Sequence, residues 1–153
     1  MKIREAEPED FDIVVRMISA LHQEVPGIVA AGPKTHAYVE QSVRLALSGS
    51  GLVLVAEDER GPAGALLAID GVFPYDTNLG RTACGLGTYV QSWARKLGLA
   101  GALYTEARRL LTKRGYEHYL GAHLVGNDAA QRVIGRVGFE PFETLVLMHL
   151  GDR

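Results

Sequence analysis

Between residues 82 and 137 the chain alternates apolar runs with amphipathic ones. A turn of small and basic residues, Arg95-Lys96-Leu97-Gly98-Leu99-Ala100-Gly101, sits at the join that decides the topology. The apolar segment Thr82 to Gln91 leads up to it. A stretch from Gly98 to Thr112 with Leu99, Leu103, Ala107 and Leu110 on one helical face leads away, and Tyr116 to Val125 reads as a strand again. Strand, helix and strand in that order close as a right-handed crossover, so the two strands lie parallel in one sheet. The turn also sets several backbone N–H groups at the positive end of a helix, an arrangement that holds a phosphate or pyrophosphate.

The rest of the chain fits around that unit. Lys2 to Ala6 alternates as a short strand, and Pro8-Glu9-Asp10 opens a helix carrying Phe11, Val14, Val15, Ile18 and Leu21, which Pro26-Gly27 ends. A second helix spans Thr35 to Leu47. Leu52 to Ala56 and Pro62 to Ile69 then pair as an antiparallel hairpin across the charged turn at residues 57 to 61. Gly71 to Arg81 reads as an irregular loop, Gly85 and Gly87 loosen the next strand enough for a bulge, and Asp128 to Val137 and Pro141 to Leu150 complete the order as a helix and a strand. The expected architecture is a mixed α/β domain spanning residues 1–153, with helices packed over a central sheet.

A formal net charge of -2 gives no general attraction to nucleic acid or anionic membrane, so any phosphate affinity is local. The lone Cys84 excludes an internal disulfide and reads as core filling, and no His, Cys or acid spacing marks a metal site. With no signal core at the amino terminus and no run of about 20 apolar residues, a cytoplasmic location is expected.

Two short motifs carry a resemblance. Arg95-x-x-Gly98-x-Ala100, preceded by Thr88-Tyr89-Val90 on a strand, matches the Q/R-x-x-G-x-G/A signature of the GNAT-type N-acetyltransferase superfamily; Asn127-Asp128-Ala129-Ala130, with Gly138-Phe139 closing the following helix, resembles its Asn-x-x-Ala helix. The resemblance implies a mixed α+β fold with a mostly antiparallel twisted sheet, splayed at its parallel pair, helices on both faces, and acetyl-coenzyme A inserted between the Thr82-to-Gln91 and Tyr116-to-Val125 strands. Main-chain groups at Thr88, Tyr89 and Val90 would bind the pantetheine arm. The N–H groups of Lys96, Leu97, Gly98, Leu99, Ala100 and Gly101 would surround the pyrophosphate, with Arg95 and Lys96 adding charge and Asn127 touching the pantetheine or the acceptor. Asn127 equally suits a helix N-cap.

The implied reaction is direct attack of an amine on the thioester in a ternary complex, the acceptor being a small molecule or a protein amino group. It needs a base, because an alkylamine is mostly protonated at pH 7. His123 is the named candidate, although its spacing from Asn127 matches an inward apolar position of the family and Ala122 stands where some members carry glutamate. Where many members place a proton-donating tyrosine this chain has Ile134; Tyr89 either supplies a replacement hydroxyl from the cofactor strand or packs across the sheet. Glu57 and Asp70 either meet a cationic substrate or relay a proton, or are solvated charges at strand ends; Tyr75 and Asp76 occupy the irregular loop, His22 and His36 lie near the cleft helices, and Trp93 covers the turn or packs against the domain. The alternative is a catalytically silent acyl-coenzyme A-binding or sensing domain, or a protein-interaction module; a homodimer is a further implication of the resemblance.

Overall fold

The computed structural model describes residues 1–24, 33–71, 80–123 and 126–141. In chain order these form β1 (Lys2–Glu5), α1 (Phe11–Glu24), α2 (Pro33–Leu47), β2 (Gly51–Asp58), β3 (Gly61–Gly71), β4 (Thr82–Val90), α3 (Leu99–Lys113), β5 (His118–Leu120) and α4 (Asp128–Arg136). The strands lie side by side in sequence order. All neighbours are antiparallel except β4 and β5, which the α3 crossover makes parallel.

Local chemistry sets the entry to α1. Glu7 N–H donates to Asp10 Oδ2 at 2.8 Å, closing a capping box over the turn that Pro8 begins. Arg4 then clamps this turn to β2, donating to Asp10 Oδ2 at 2.6 Å and to Glu57 Oε1 at 2.9 Å. The guanidinium holds both carboxyls below the usual carboxylate range. Glu57 is thereby a structural partner of Arg4.

Strand periodicity divides the core in two. Leu52, Leu54, Ala56, Leu66 and Ala68 point to one face, against Leu99, Leu103 and Ala107 of α3. Val53, Val55, Ala65 and Leu67 point to the other, against Val14, Ile18, Val39 and Val43 of α1 and α2. In β4 the alternation is interrupted. Ala68 pairs with Gly85 but Leu67 pairs with Gly87, leaving Leu86 as one extra residue. A single inserted residue exchanges the faces of everything beyond it. Thus Ala83 packs on the α3 side while Tyr89, also odd-numbered, packs on the α1 side.

β5 is shorter than its apolar pattern suggests. Its ladder with β4 holds three pairs, Thr82 with His118, Ala83 with Tyr119 and Cys84 with Leu120, and then the strands part. The expected strand from Tyr116 to Val125 is therefore corrected to His118–Leu120 within the described residues. Tyr116 precedes the ladder, and its hydroxyl donates to Asp70, tying down that carboxylate. Aromatic packing explains the parting. Tyr119 meets Phe139 with ring centroids 5.2 Å apart, and Tyr104 of α3 meets Phe139 at 5.6 Å, filling the space behind the strands. A Cβ at position 85 would lie 3.0 Å from Tyr119 Oη, and one at 121 would lie 3.1 Å from Phe139 Cε1. Glycine at both positions leaves room for the rings. The sequence-based expectations for residues 72–79 and for a strand beyond Pro141 lie outside the described residues.

Candidate active site

Where β4 and β5 separate, a cleft of about 290 Å³ opens. Leu21 and His22 of α1 form one wall and Gly85 to Thr88 of β4 another. Tyr104, Tyr119 and the segment Gly121-Ala122-His123 line it from the α3 and β5 side, and Asn127 and Ala130 from the start of α4. Beyond Cys84, β4 has no strand partner on its β5 side among the described residues, so peptide groups of Gly85 to Thr88 face the opening. Burial pushes the Tyr104 and Tyr119 hydroxyls up, so both are neutral at physiological pH; the Thr88 hydroxyl works against this at Tyr104.

The same edge continues into the small-residue turn. After a single 3-10 turn at Ser92–Ala94 the backbone turns left-handed at Lys96 (φ 69°) and again at Gly98 (φ 76°), the N-cap of α3. Among the described residues, no N–H from Lys96 through Gly101 makes a well-formed hydrogen bond to a backbone carbonyl. Alternating left-handed residues at a helix start concentrate N–H groups on one concave side, which suits an anion such as a pyrophosphate. Leu97 stands out from this turn, 64% exposed.

A model of the acetyltransferase (GNAT) family matches residues 17–139, a span that holds the cleft, the turn and α4. The chain belongs to the acetyltransferase (GNAT) family. The solved structures it resembles agree with that in fold. An aminoglycoside antibiotic 6'-N-acetyltransferase from Acinetobacter haemolyticus superposes with a TM-score of 0.72 at 15% identity, covering 100% of both chains. A mutant of the BH1408 protein from Bacillus halodurans gives 0.78 at 17% identity, over 98% of this chain and 99% of that one. AAC(6')-Iy, solved with the bisubstrate analogue CoA-S-monomethyl-acetylneamine, gives 0.74 at 18% identity, over 99% and 98%. No curated protein matches the sequence.

Within this GNAT fold the residues singled out from the sequence separate into two groups. Thr88, His123 and Asn127 meet in the cleft. Asn127 is also an N-cap, its Oδ1 accepting from Ala130 N–H at 3.1 Å. Tyr89 is set apart. The bulge turns it toward α1, where it is 7% exposed and its hydroxyl donates to Glu24 Oε1 at 3.0 Å. Burial and the neighbouring carboxylate push that hydroxyl up. Arg95 is likewise occupied, its Nε donating to the Val90 carbonyl at 2.9 Å and its Nη2 pairing with Glu24. Its guanidinium fastens α1 to the turn, and Val90 offers the cleft one carbonyl fewer.

Two contributors escape a reading by motif. Glu24 is bonded to both Tyr89 and Arg95, and Arg95 holds its carboxyl below the usual range. His22 lines the cleft from the last turn of α1, two residues before Glu24. Helical periodicity after Leu21 is the only sequence signal for its position. The remaining candidates serve elsewhere. His36 bonds Ser19 Oγ at 3.2 Å, the Arg60 guanidinium lies 4.0 Å over the Trp93 ring, and burial pushes the Cys84 thiol up. Tyr75 and Asp76 lie outside the described residues. No cluster of three metal-binding side chains occurs among the described residues, and none of their helices is long and apolar enough to cross a membrane.

Proposed function

We propose that this GNAT protein is an acetyl-coenzyme A-dependent N-acetyltransferase that passes acetyl to an amine by direct attack in a ternary complex. The carrying observation is the continuity of one strand edge. Peptide groups of Gly85 to Thr88 face a cleft, and the same chain runs on into a turn whose six N–H groups, Lys96 through Gly101, make no well-formed hydrogen bond to a backbone carbonyl among the described residues. That path matches a substrate with an amide-bearing arm and a pyrophosphate. Lys96, Leu97, Gly98, Leu99, Ala100 and Gly101 hold the pyrophosphate, and Thr88 and Asn127 meet the arm. A β4 N–H at the thioester carbonyl stabilises the charge that develops as the amine attacks.

The acceptor is an amine-bearing small molecule or a protein amino group. The structural likeness to aminoglycoside acetyltransferases places aminoglycosides in the test panel. The described lining of the cleft contains no Asp or Glu to draw a polycation, which places monoamines beside them. A single domain acting as a cytoplasmic homodimer completes the reading, with light scattering as the check on its oligomeric state.

The test is incubation with acetyl-coenzyme A and the amine panel, following free thiol and acetylated product by mass. Release of thiol that depends on the amine is the expected result; no binding of any acyl-coenzyme A by calorimetry refutes the assignment. A second reading, a silent acyl-coenzyme A sensor, is favoured by Ile134, which has no proton to give a departing thiolate. It predicts binding without transfer. A thiol with an unperturbed pKa of about 8.5 leaves without a strong acid, so the enzymatic reading stands first.

A further inference from the structure

His22 is half-buried on the last turn of α1, with its Nδ1 2.9 Å from the carbonyl oxygen of Ile18. A carbonyl oxygen only accepts, so Nδ1 carries the hydrogen. The lone pair of the neutral ring therefore sits on Nε2, at the edge turned away from that carbonyl. Tautomer and ring orientation are set before any substrate arrives. The helix end is fastened as well: Glu24 accepts from Tyr89 of β4 and pairs with Arg95 of the turn, so the imidazole stands in a fixed relation to both. His123 shares the cleft from an exposed segment beyond β5.

Resting on the acetyltransferase reading above, we infer that His22 Nε2 is the general base of the reaction, a role for which the sequence reading names His123. The acceptor ammonium gives one proton to Nε2, leaving a neutral amine and an imidazolium. The amine lone pair forms the N–C bond at the thioester carbonyl, and the C–S bond breaks as the tetrahedral species collapses. The second N–H proton passes through water to the departing thiolate, and the imidazolium returns its proton to solvent. The products are an acetamide, a free thiol and one released proton.

Among the described residues, the other titratable groups that flank His22 or line the cleft are these. Tyr104 of α3 and Tyr119 of β5 are kept protonated by burial, Glu24 is held ionised by Arg95, and His36 of α2 meets Ser19 and Glu40. His123 is the other imidazole in the cleft, and it makes the necessary control.

The experiment compares kcat against pH, with both substrates saturating, in the wild-type protein, His22→Asn, His22→Ala and His123→Asn. Asparagine at 22 keeps a donor near the Nδ1 position and removes the base. The expected result is a loss of about 10²- to 10⁴-fold in kcat for His22→Asn, with loss of the acid limb in the pH 5 to 8 window where imidazoles titrate. Its melting temperature and its calorimetric affinity for acetyl-coenzyme A should match wild type, and added imidazole should restore activity to His22→Ala. An unchanged acid limb in His22→Asn, or its loss in His123→Asn instead, overturns the assignment while the acetyltransferase reading stands. A wild-type protein that binds acetyl-coenzyme A and acetylates no amine overturns both.

Discussion

The pair of left-handed residues in the turn gives opposite predictions for two substitutions. Gly98 has φ 76° and ψ 7°, and a Cβ placed there meets nothing within 4 Å. Gly98→Ala is thus free of collisions and isolates the backbone term. Left-handed geometry costs a non-glycine residue about 1–2 kcal/mol. The smaller entropy of the unfolded alanine chain offsets about 0.4–1 kcal/mol of that. The net loss is about 1 kcal/mol, a fall in Tm of about 2–4 °C for a chain of this size. Lys96, at φ 69°, already bears the same strain with a full side chain. Lys96→Gly relieves it, and the looser unfolded chain takes back only part of that gain, so the same terms give a net gain of about 1 kcal/mol and a rise in Tm of about 2–4 °C. Thermal melts of the two variants, with urea titrations showing an unchanged m-value, make the measurement. A neutral Gly98→Ala, or a Lys96→Gly as destabilising as Gly98→Ala, would refute the argument from backbone conformation.

Leu103 is fully buried between α3 and the sheet, so Leu103→Ala should cost about 2–5 kcal/mol in urea unfolding, with the spread set by how far the site collapses. Arg4→Met should change the acid side of the stability profile. The lowered carboxyls of Asp10 and Glu57 contribute stability that is present above their unfolded pKa values and lost as pH falls through the folded ones. Urea midpoints at pH 7 and pH 3 should therefore lie closer together in the variant than in wild type, and an equal separation would sink the assignment of Arg4. The raised, half-buried Cys84 thiol should react with an aromatic disulfide reagent at pH 7 at least about tenfold more slowly in the native protein than in urea; equal rates would contradict its burial.

The frame of the molecule is legible from pattern because its elements are long and strongly periodic. Leu99, Leu103, Ala107 and Leu110 announce α3, and the short charged turn between two apolar runs announces the β2–β3 hairpin. The turn at Arg95 to Gly101 is readable because glycine and small residues at a helix start have few other uses. What stays hidden depends on a single residue of register. Glycines at 85 and 87 permit a bulge, but nothing local says that Leu86 is the extra residue. That choice decides that Tyr89 faces α1 and leaves the cleft. Arg95 reads as a phosphate ligand until Glu24 is seen beside it, a partner 71 positions away in the chain. The end of β5 is equally silent, because Gly121 and Ala122 are compatible with a strand and it is the Tyr119 and Phe139 rings that turn the chain aside.

The parting of β4 from β5 leaves a stretch of unpaired strand edge on β4, and on the proposed reading a ligand's own amides complete it as a borrowed strand. Recognition of that kind addresses peptide groups, which every residue but proline supplies in full. It asks only for the path of the chain and for side chains small enough to stay out of the way. Three solved structures keep this fold at 15–18% identity. A site written in the main chain survives such drift without covariation, because almost any substitution that preserves the strand also preserves the contact. Selection at these positions then acts on bulk and backbone direction, leaving the side chains of the acceptor wall free to diverge toward new substrates.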